Sequence, residues 1–167
     1  MRVGTDALIE IRAFQPSDRE RIHDILVATN VFTDEEVHVA FELIDAVIHN
    51  PHQRDYEIYT AVNEKNEIVG YYCVGPTPLT QGTYDLYWIA VDPLMQGQGI
   101  GRQLSDHAEE RVRAHGARLL IAHTSSQPKY DYTHMFYVKH GYQEVARIKE
   151  YYKAGDDLVI YGKYVSQ

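Results

Sequence analysis

The sequence predicts an α/β fold built on a mixed, mostly antiparallel central sheet flanked by helices. Two observations predict it. Short alternating apolar runs recur in pairs across polar turns, and amphipathic stretches of helical period lie between those pairs. A third observation fixes the middle of the chain, where the apolar run Leu86 to Val91 leads into three alternate glycines and then into a helical pattern. At 167 residues, 44% hydrophobic and 24% charged, the chain suits one domain over 1–167 with a core that needs no staples.

Taken in order, Ala7 to Phe14 alternates as a half-buried strand. Ser17 with Glu20 reads as a capping box before Ile22, Ile25 and Leu26, which share one helical face. A second box, Thr33 with Glu36, precedes Val37, Ala40, Phe41, Ile44, Val47 and Ile48, and Asn50-Pro51 ends that helix. Tyr56 to Val62 and Ile68 to Val74 form a hairpin around Asn63 to Glu67. Thr83 to Val91 is the next strand, and after the glycines Ile100, Leu104, Ala108 and Val112 line one side of a helix that stops near Gly116. Leu119 to Thr124 reads as a buried strand and His134 to His140 as a helix. Tyr142 to Tyr152 and Leu158 to Val165 close the chain as an antiparallel hairpin around Ala154 to Asp157.

Composition excludes several classes of function. The longest apolar run has six residues, against about 20 for a membrane-spanning helix, so no membrane partner is expected. Met1 to Glu10 lacks the basic region and apolar core of a secretory signal. Cys73 is the sole cysteine, which rules out an internal disulfide, suits a reducing compartment and gives a cytoplasmic reading. A net charge of −8 without clustered Lys or Arg argues against a nucleic-acid partner and favours cationic substrates such as amines. The nine histidines show no His-Glu-x-x-His or similar spacing, so no metal is expected.

The segment Val91-Asp-Pro-Leu-Met-Gln-Gly-Gln-Gly-Ile-Gly-Arg-Gln-Leu104 has the form of a pyrophosphate cradle. Glycines at 97, 99 and 101 permit a tight turn and close approach of a ligand, and the first helical turn offers unpaired N–H groups to an anion. It is not a P-loop, which needs four residues between its glycines and then Lys and Ser or Thr. Nor is it the Gly-x-Gly-x-x-Gly of dinucleotide folds. A glycine-rich turn that only links strand to helix is the structural alternative.

What fits is Gln-x-x-Gly-x-Gly at Gln96, Gly99 and Gly101. This resembles the acetyl-CoA-binding motif of the GNAT superfamily of N-acetyltransferases, and the order of elements resembles that fold over nearly the whole chain. The resemblance implies acetyl-CoA as co-substrate, held by Gln96, Gly97, Gly99, Gly101 and Arg102 through backbone N–H groups, with Ile89 and Val91 on the preceding strand also in the cofactor-binding set. Thr133 to Tyr142 resembles the family's second signature, Phe-Tyr, three residues, Gly and an aromatic. It departs at Tyr130, where Asn is frequent, which affects a contact to the pantetheine arm. Tyr137 matches the tyrosine that lies near the cofactor sulfur.

The chemistry gives that tyrosine a purpose. Amine attack on a thioester expels a thiolate, and a phenol, with a pKa of about 10, is protonated at neutral pH and can donate to it. Packing alone is the alternative for Tyr137 in a chain of 14 tyrosines. The acceptor amine is itself protonated and needs a base, for which Asp85 is the candidate, directly or through water, with His123 and His134 as relays. A solvated strand-end carboxylate is the alternative for Asp85. Tyr151 and Tyr152 resemble tyrosines that line the peptide channel of GNAT enzymes acting on protein N-termini, and are candidates for substrate binding.

The expectation is therefore an N-acetyltransferase that transfers acetyl from acetyl-CoA to a primary amine, on a small molecule or a peptide, by direct attack in a ternary complex. A route through acetylated Cys73 is not expected, because that residue sits in an apolar strand without a basic neighbour in sequence. A non-catalytic acyl-CoA-binding or sensing module is the alternative function, and a homodimer is an open assembly state.

Overall fold

A computed structural model describes residues 8–166. The strands are β1 (Ile9–Ala13), β2 (Glu57–Asn63), β3 (Ile68–Pro76), β4 (Thr83–Val91), β5 (Leu119–Ser125), β6 (Gln143–Lys153) and β7 (Asp156–Tyr164). The helices are α1 (Arg19–Ala28), α2 (Asp34–His49), α3 (Ile100–Ala114) and α4 (Asp131–Lys139). The strands form a seven-stranded sheet in the order β1-β2-β3-β4-β5-β7-β6. β4 and β5 pair in parallel, whereas β1–β2, β2–β3, β5–β7 and β6–β7 are antiparallel. The mixed, mostly antiparallel sheet agrees with the sequence reading. No helix among the described residues is long and apolar enough to cross a membrane.

By contacts the chain divides into two compact units. The first comprises the described residues through Gly75 together with Trp88–Ala108; the second comprises Pro76–Tyr87 and the described residues from Glu109 onward. In the first, Ile22, Ile25 and Leu26 of α1, Ala40 and Ile44 of α2, and nearly all of β3 are buried. Gly70 of β3 lies so close to its surroundings that a Cβ there would come 2.8 Å from the Ala90 carbonyl oxygen and 3.0 Å from Leu104 Cδ1. The missing side chain thus sets how near α3 can approach the sheet. In the second unit, Val112, Leu120, Ala122, Leu158 and Val159 are buried.

The helical stripe Ile100, Leu104, Ala108 and Val112 is buried as its spacing predicts, and Gly116 ends α3 at φ 84°. The Thr33–Glu36 box forms in both directions: the Glu36 N–H donates to Thr33 Oγ1 at 3.1 Å and the Thr33 N–H to the Glu36 carboxylate at 2.6 Å. The first box does not form at Ser17. Pro16 opens a short 3-10 turn, Pro16–Asp18, and the Asp18 carboxylate accepts from the Gln15 N–H at 2.8 Å. Arg12 donates to both Asp18 oxygens, at 2.7 and 2.9 Å, and Asp18, the residue before α1, gives that helix no side-chain cap.

The start of the first strand predicted at Ala7 lies outside the described residues, and two further boundaries differ from the periodicity. α4 starts at Asp131, a turn before His134, because Pro128 opens a 3-10 turn that runs into the helix. The last hairpin turns over Ala154–Gly155, with Lys153 opposite Asp156, so Asp156 and Asp157 belong to β7. β6 itself is interrupted. Ile148 pairs with Leu158 and Lys153 with Asp156, so residues 149–152 stand opposite Asp157 alone, in a bulge with Glu150 at φ 52°.

Candidate active site

In the first unit the glycine loop has the geometry that its sequence demands. The Asp92 N–H bonds the Val69 carbonyl at 2.8 Å, and the Asp92 carboxylate accepts from the Leu94 N–H at 3.0 Å and pairs with Arg21. These bonds fix the turn after β4. Gly97 and Gly99 both adopt φ 78°, a conformation that L side chains rarely accept, and a Cβ on Gly97 would meet nothing within 4 Å. The Gln103 N–H bonds the Gly99 carbonyl at 3.1 Å as α3 begins, so the N–H groups of its first turn have no acceptor earlier in the helix. Gln96, Gly97 and Arg102 are exposed, Gly101 is half-buried, and Ile89 and Val91 of β4 are half-buried on either side of buried Ala90. An open loop of positive-φ glycines ahead of a helix N-terminus fits a pyrophosphate.

In the second unit β5 carries different groups on its two faces, because successive side chains of a strand point in opposite directions. On one face Tyr161 of β7, opposite Ala122, receives α4. The Tyr137 ring stacks on Tyr161 at 5.7 Å and 24°, and lies 5.1 Å from Tyr142 and 5.7 Å from Phe136. Tyr137 is 5% exposed, and burial pushes its phenol well above the usual range, keeping it protonated. Its hydroxyl makes no hydrogen bond among the described residues. Thr124 on the same face donates its single hydroxyl proton to the Val159 carbonyl at 2.9 Å, so the contact of 3.1 Å to His134 Nε2 is one in which the imidazole N–H donates.

On the other face stands Asp85. Its parallel register with Ile121 puts it on the side of β5 that also carries His123. Asp85 is 9% exposed and is not the solvated strand-end carboxylate of the alternative reading. Thr77 Oγ1 donates to Asp85 Oδ2 at 2.6 Å, and His123 Nε2 stands 3.7 Å from Oδ1. Asp85 is brought together with His123, whereas His134 belongs to the opposite face. Thr77 went unnoticed in the sequence, since it lies between Pro76 and Pro78 in a loop where no periodicity marks a side chain.

Tyr151 and Tyr152 sit in the bulge of β6, both about half exposed, with their rings edge to face at 5.0 Å. Asp157 shapes this bulge: Oδ1 accepts from the Glu150 N–H and Oδ2 from Arg147, each at 2.9 Å. Those two donors hold its carboxyl below the usual range. Cys73 is buried, and burial pushes its thiol up, which disfavours the thiolate that an acetyl-cysteine route requires.

The sequence model of the Acetyltransferase (GNAT) domain matches residues 54–144. No curated protein matches the chain. Among solved structures, a GNAT-family protein from Desulfovibrio desulfuricans is 40% identical, with 94% of this chain and 99% of that one covered at a TM-score of 0.87. The ribosomal-protein-S18-alanine N-acetyltransferase of Escherichia coli is 18% identical, with 96% of each chain covered and a TM-score of 0.73. A GNAT-family acetyltransferase from Elizabethkingia anophelis, solved with acetyl-CoA bound, is 20% identical, with 93% of this chain and 97% of that one covered and a TM-score of 0.68. The last two likenesses are of fold alone. With its domain model matched over more than half its length and a relative of 40% identity spanning nearly all of it, this chain is a member of the GNAT acetyltransferase family.

Proposed function

We propose that this protein transfers acetyl from acetyl-CoA to a primary amine, on a small molecule or a peptide, by direct attack in a ternary complex. The observation that carries the reading is the open glycine loop, with Gly97 and Gly99 at φ 78° ahead of the first turn of α3, which fits the pyrophosphate of acetyl-CoA. The chain also holds a buried, protonated phenol, Tyr137, and a buried carboxylate, Asp85. Aminolysis of a thioester needs both functions, a donor for the departing thiolate and an acceptor for the ammonium proton.

Under this reading the N–H groups at Gln96, Gly97, Gly99, Gly101 and Arg102 bind the pyrophosphate, with Ile89 and Val91 also in contact with the cofactor. Acetyl-CoA supplies the activated acyl group when bound. Tyr137 holds its proton at Oη for the sulfur, and Asp85 draws the acceptor's proton, directly or through water. Tyr151 and Tyr152 offer aromatic walls with polar tips to the acceptor. The acidic chain, of net charge −8, favours a cationic acceptor.

The test is release of CoA thiol from acetyl-CoA in the presence of polyamines, aminoglycosides and peptides with free N-termini, with acetyl-CoA binding measured separately by calorimetry. Amine-dependent release is the expected result. Binding of acetyl-CoA without turnover of any acceptor would assign the protein to acyl-CoA binding or sensing instead.

A further inference from the structure

We propose that His123 is the group that takes the acceptor's proton, that Asp85 is a positioning residue that holds the imidazole, and that Thr77 holds Asp85. The inference rests on the reading of Asp85 as the acceptor-side carboxylate and puts a side chain where that reading allows a water. Three observations carry it. First, Asp85 is enclosed, its side chain 12% exposed, whereas the His123 side chain is 49% exposed and so open to an incoming amine. Second, Asp85 Oδ2 is engaged by the Thr77 hydroxyl at 2.6 Å, which leaves Oδ1 as the oxygen turned to His123 Nε2, 3.7 Å away. Third, among the described residues Asp85 is the only ionic partner of His123.

The chemistry follows from this arrangement. A carboxylate beside Nε2 favours the tautomer with its hydrogen on Nε2 and leaves the Nδ1 lone pair facing away from Asp85. An ammonium acceptor gives one proton to Nδ1, and the Asp85 carboxylate beside Nε2 stabilises the imidazolium. The freed nitrogen lone pair then forms the C–N bond to the acetyl carbon while the C–S bond breaks and its electron pair leaves on sulfur. Tyr137 gives its proton to the departing thiolate, the nitrogen's second proton passes to solvent and a solvent proton restores Tyr137, and His123 returns its proton to solvent, so the net products are the amide, CoA thiol and one released proton.

Two measurements test the inference. The first compares ethylamine with 2,2,2-trifluoroethylamine, an amine already largely neutral at pH 7, as acceptors for the full-length protein. His123→Gln should lose about 10²-fold or more with ethylamine and little with trifluoroethylamine, because only the first needs a base. Thr77→Val should lose about tenfold with the same dependence on the amine. Equal losses with both amines would mean a merely structural role and overturn the proposal. Absence of wild-type turnover with either amine, with acetyl-CoA still bound, would instead overturn the acetyltransferase reading on which it rests. The second measurement is independent of turnover. Nitrogen NMR of the His123 imidazole should show hydrogen on Nε2 in the wild type, with that preference lost in Asp85→Asn. A wild-type ring protonated on Nδ1 would overturn the proposal.

Discussion

The rings of Tyr137 and Tyr161 lie 5.7 Å apart and 24° from parallel, one on α4 and the other on β7. This stack fixes the phenol from the side of the ring and leaves its hydroxyl without a hydrogen bond among the described residues. Tyr137→Phe therefore keeps the packing and removes only the donor. Turnover should fall by about 10²–10⁴-fold while the affinity for CoA, followed by calorimetry, stays near the wild-type value. Unchanged turnover would leave Tyr137 a packed aromatic.

The cradle makes a second prediction through backbone conformation. Gly99 holds φ 78°, so Gly99→Val adds a β-branched side chain where one costs about 1–3 kcal/mol and narrows the approach of a pyrophosphate. CoA binding should weaken about tenfold or more. The thermal transition should remain cooperative, since the residue lies in a loop outside the core. Wild-type affinity in a folded variant would remove this loop from the binding site.

Asp85→Asn nearly preserves shape and the contact with Thr77, but removes the charge. The loss of rate should be largest below the pKa of the acceptor amine, where nearly all of it is protonated, and should shrink as the pH rises. A pH profile of kcat/KM with a single acceptor checks this. A variant with wild-type rates throughout the neutral range would remove Asp85 from the proton's path, both as base and as the partner of His123.

Asp18 gives a prediction about stability. Burial by itself would raise its carboxyl, but the hydrogen bonds from Arg12 and from the Gln15 N–H outweigh it and hold the carboxyl below its usual value. A group depressed in the folded state stabilises fully above its unfolded pKa, and that contribution is lost as pH falls through the folded value. Asp18→Ala leaves Arg12 without its carboxylate and should cost about 3 kcal/mol at pH 7. The gap between variant and wild type should narrow toward pH 2, as read by urea denaturation at each pH. A gap that does not change with pH would show that packing, not the ion pair, is lost.

By itself the sequence determined the order of elements, the buried stripe of α3, the Thr33–Glu36 cap and the glycine loop. Each is a local property: a repeat of apolar positions, a pair of capping residues three apart, or glycines where the chain takes positive φ. The place of Tyr137 on a helix was also legible, because a short motif on α4 carries it. The tertiary structure decided the rest. Asp85 meets His123 through the parallel register of two strands, Thr77 reaches Asp85 from a proline-flanked loop, and Asp157 holds the Glu150 N–H in the bulge that carries Tyr151 and Tyr152 and Arg147 just before it. The pairing of Arg12 with Asp18, beside the cap that does not form at Ser17, is another such contact. Such contacts depend on which strands pair and at what offset, and on hydrogen bonds between distant side chains. No periodicity within a single element encodes them.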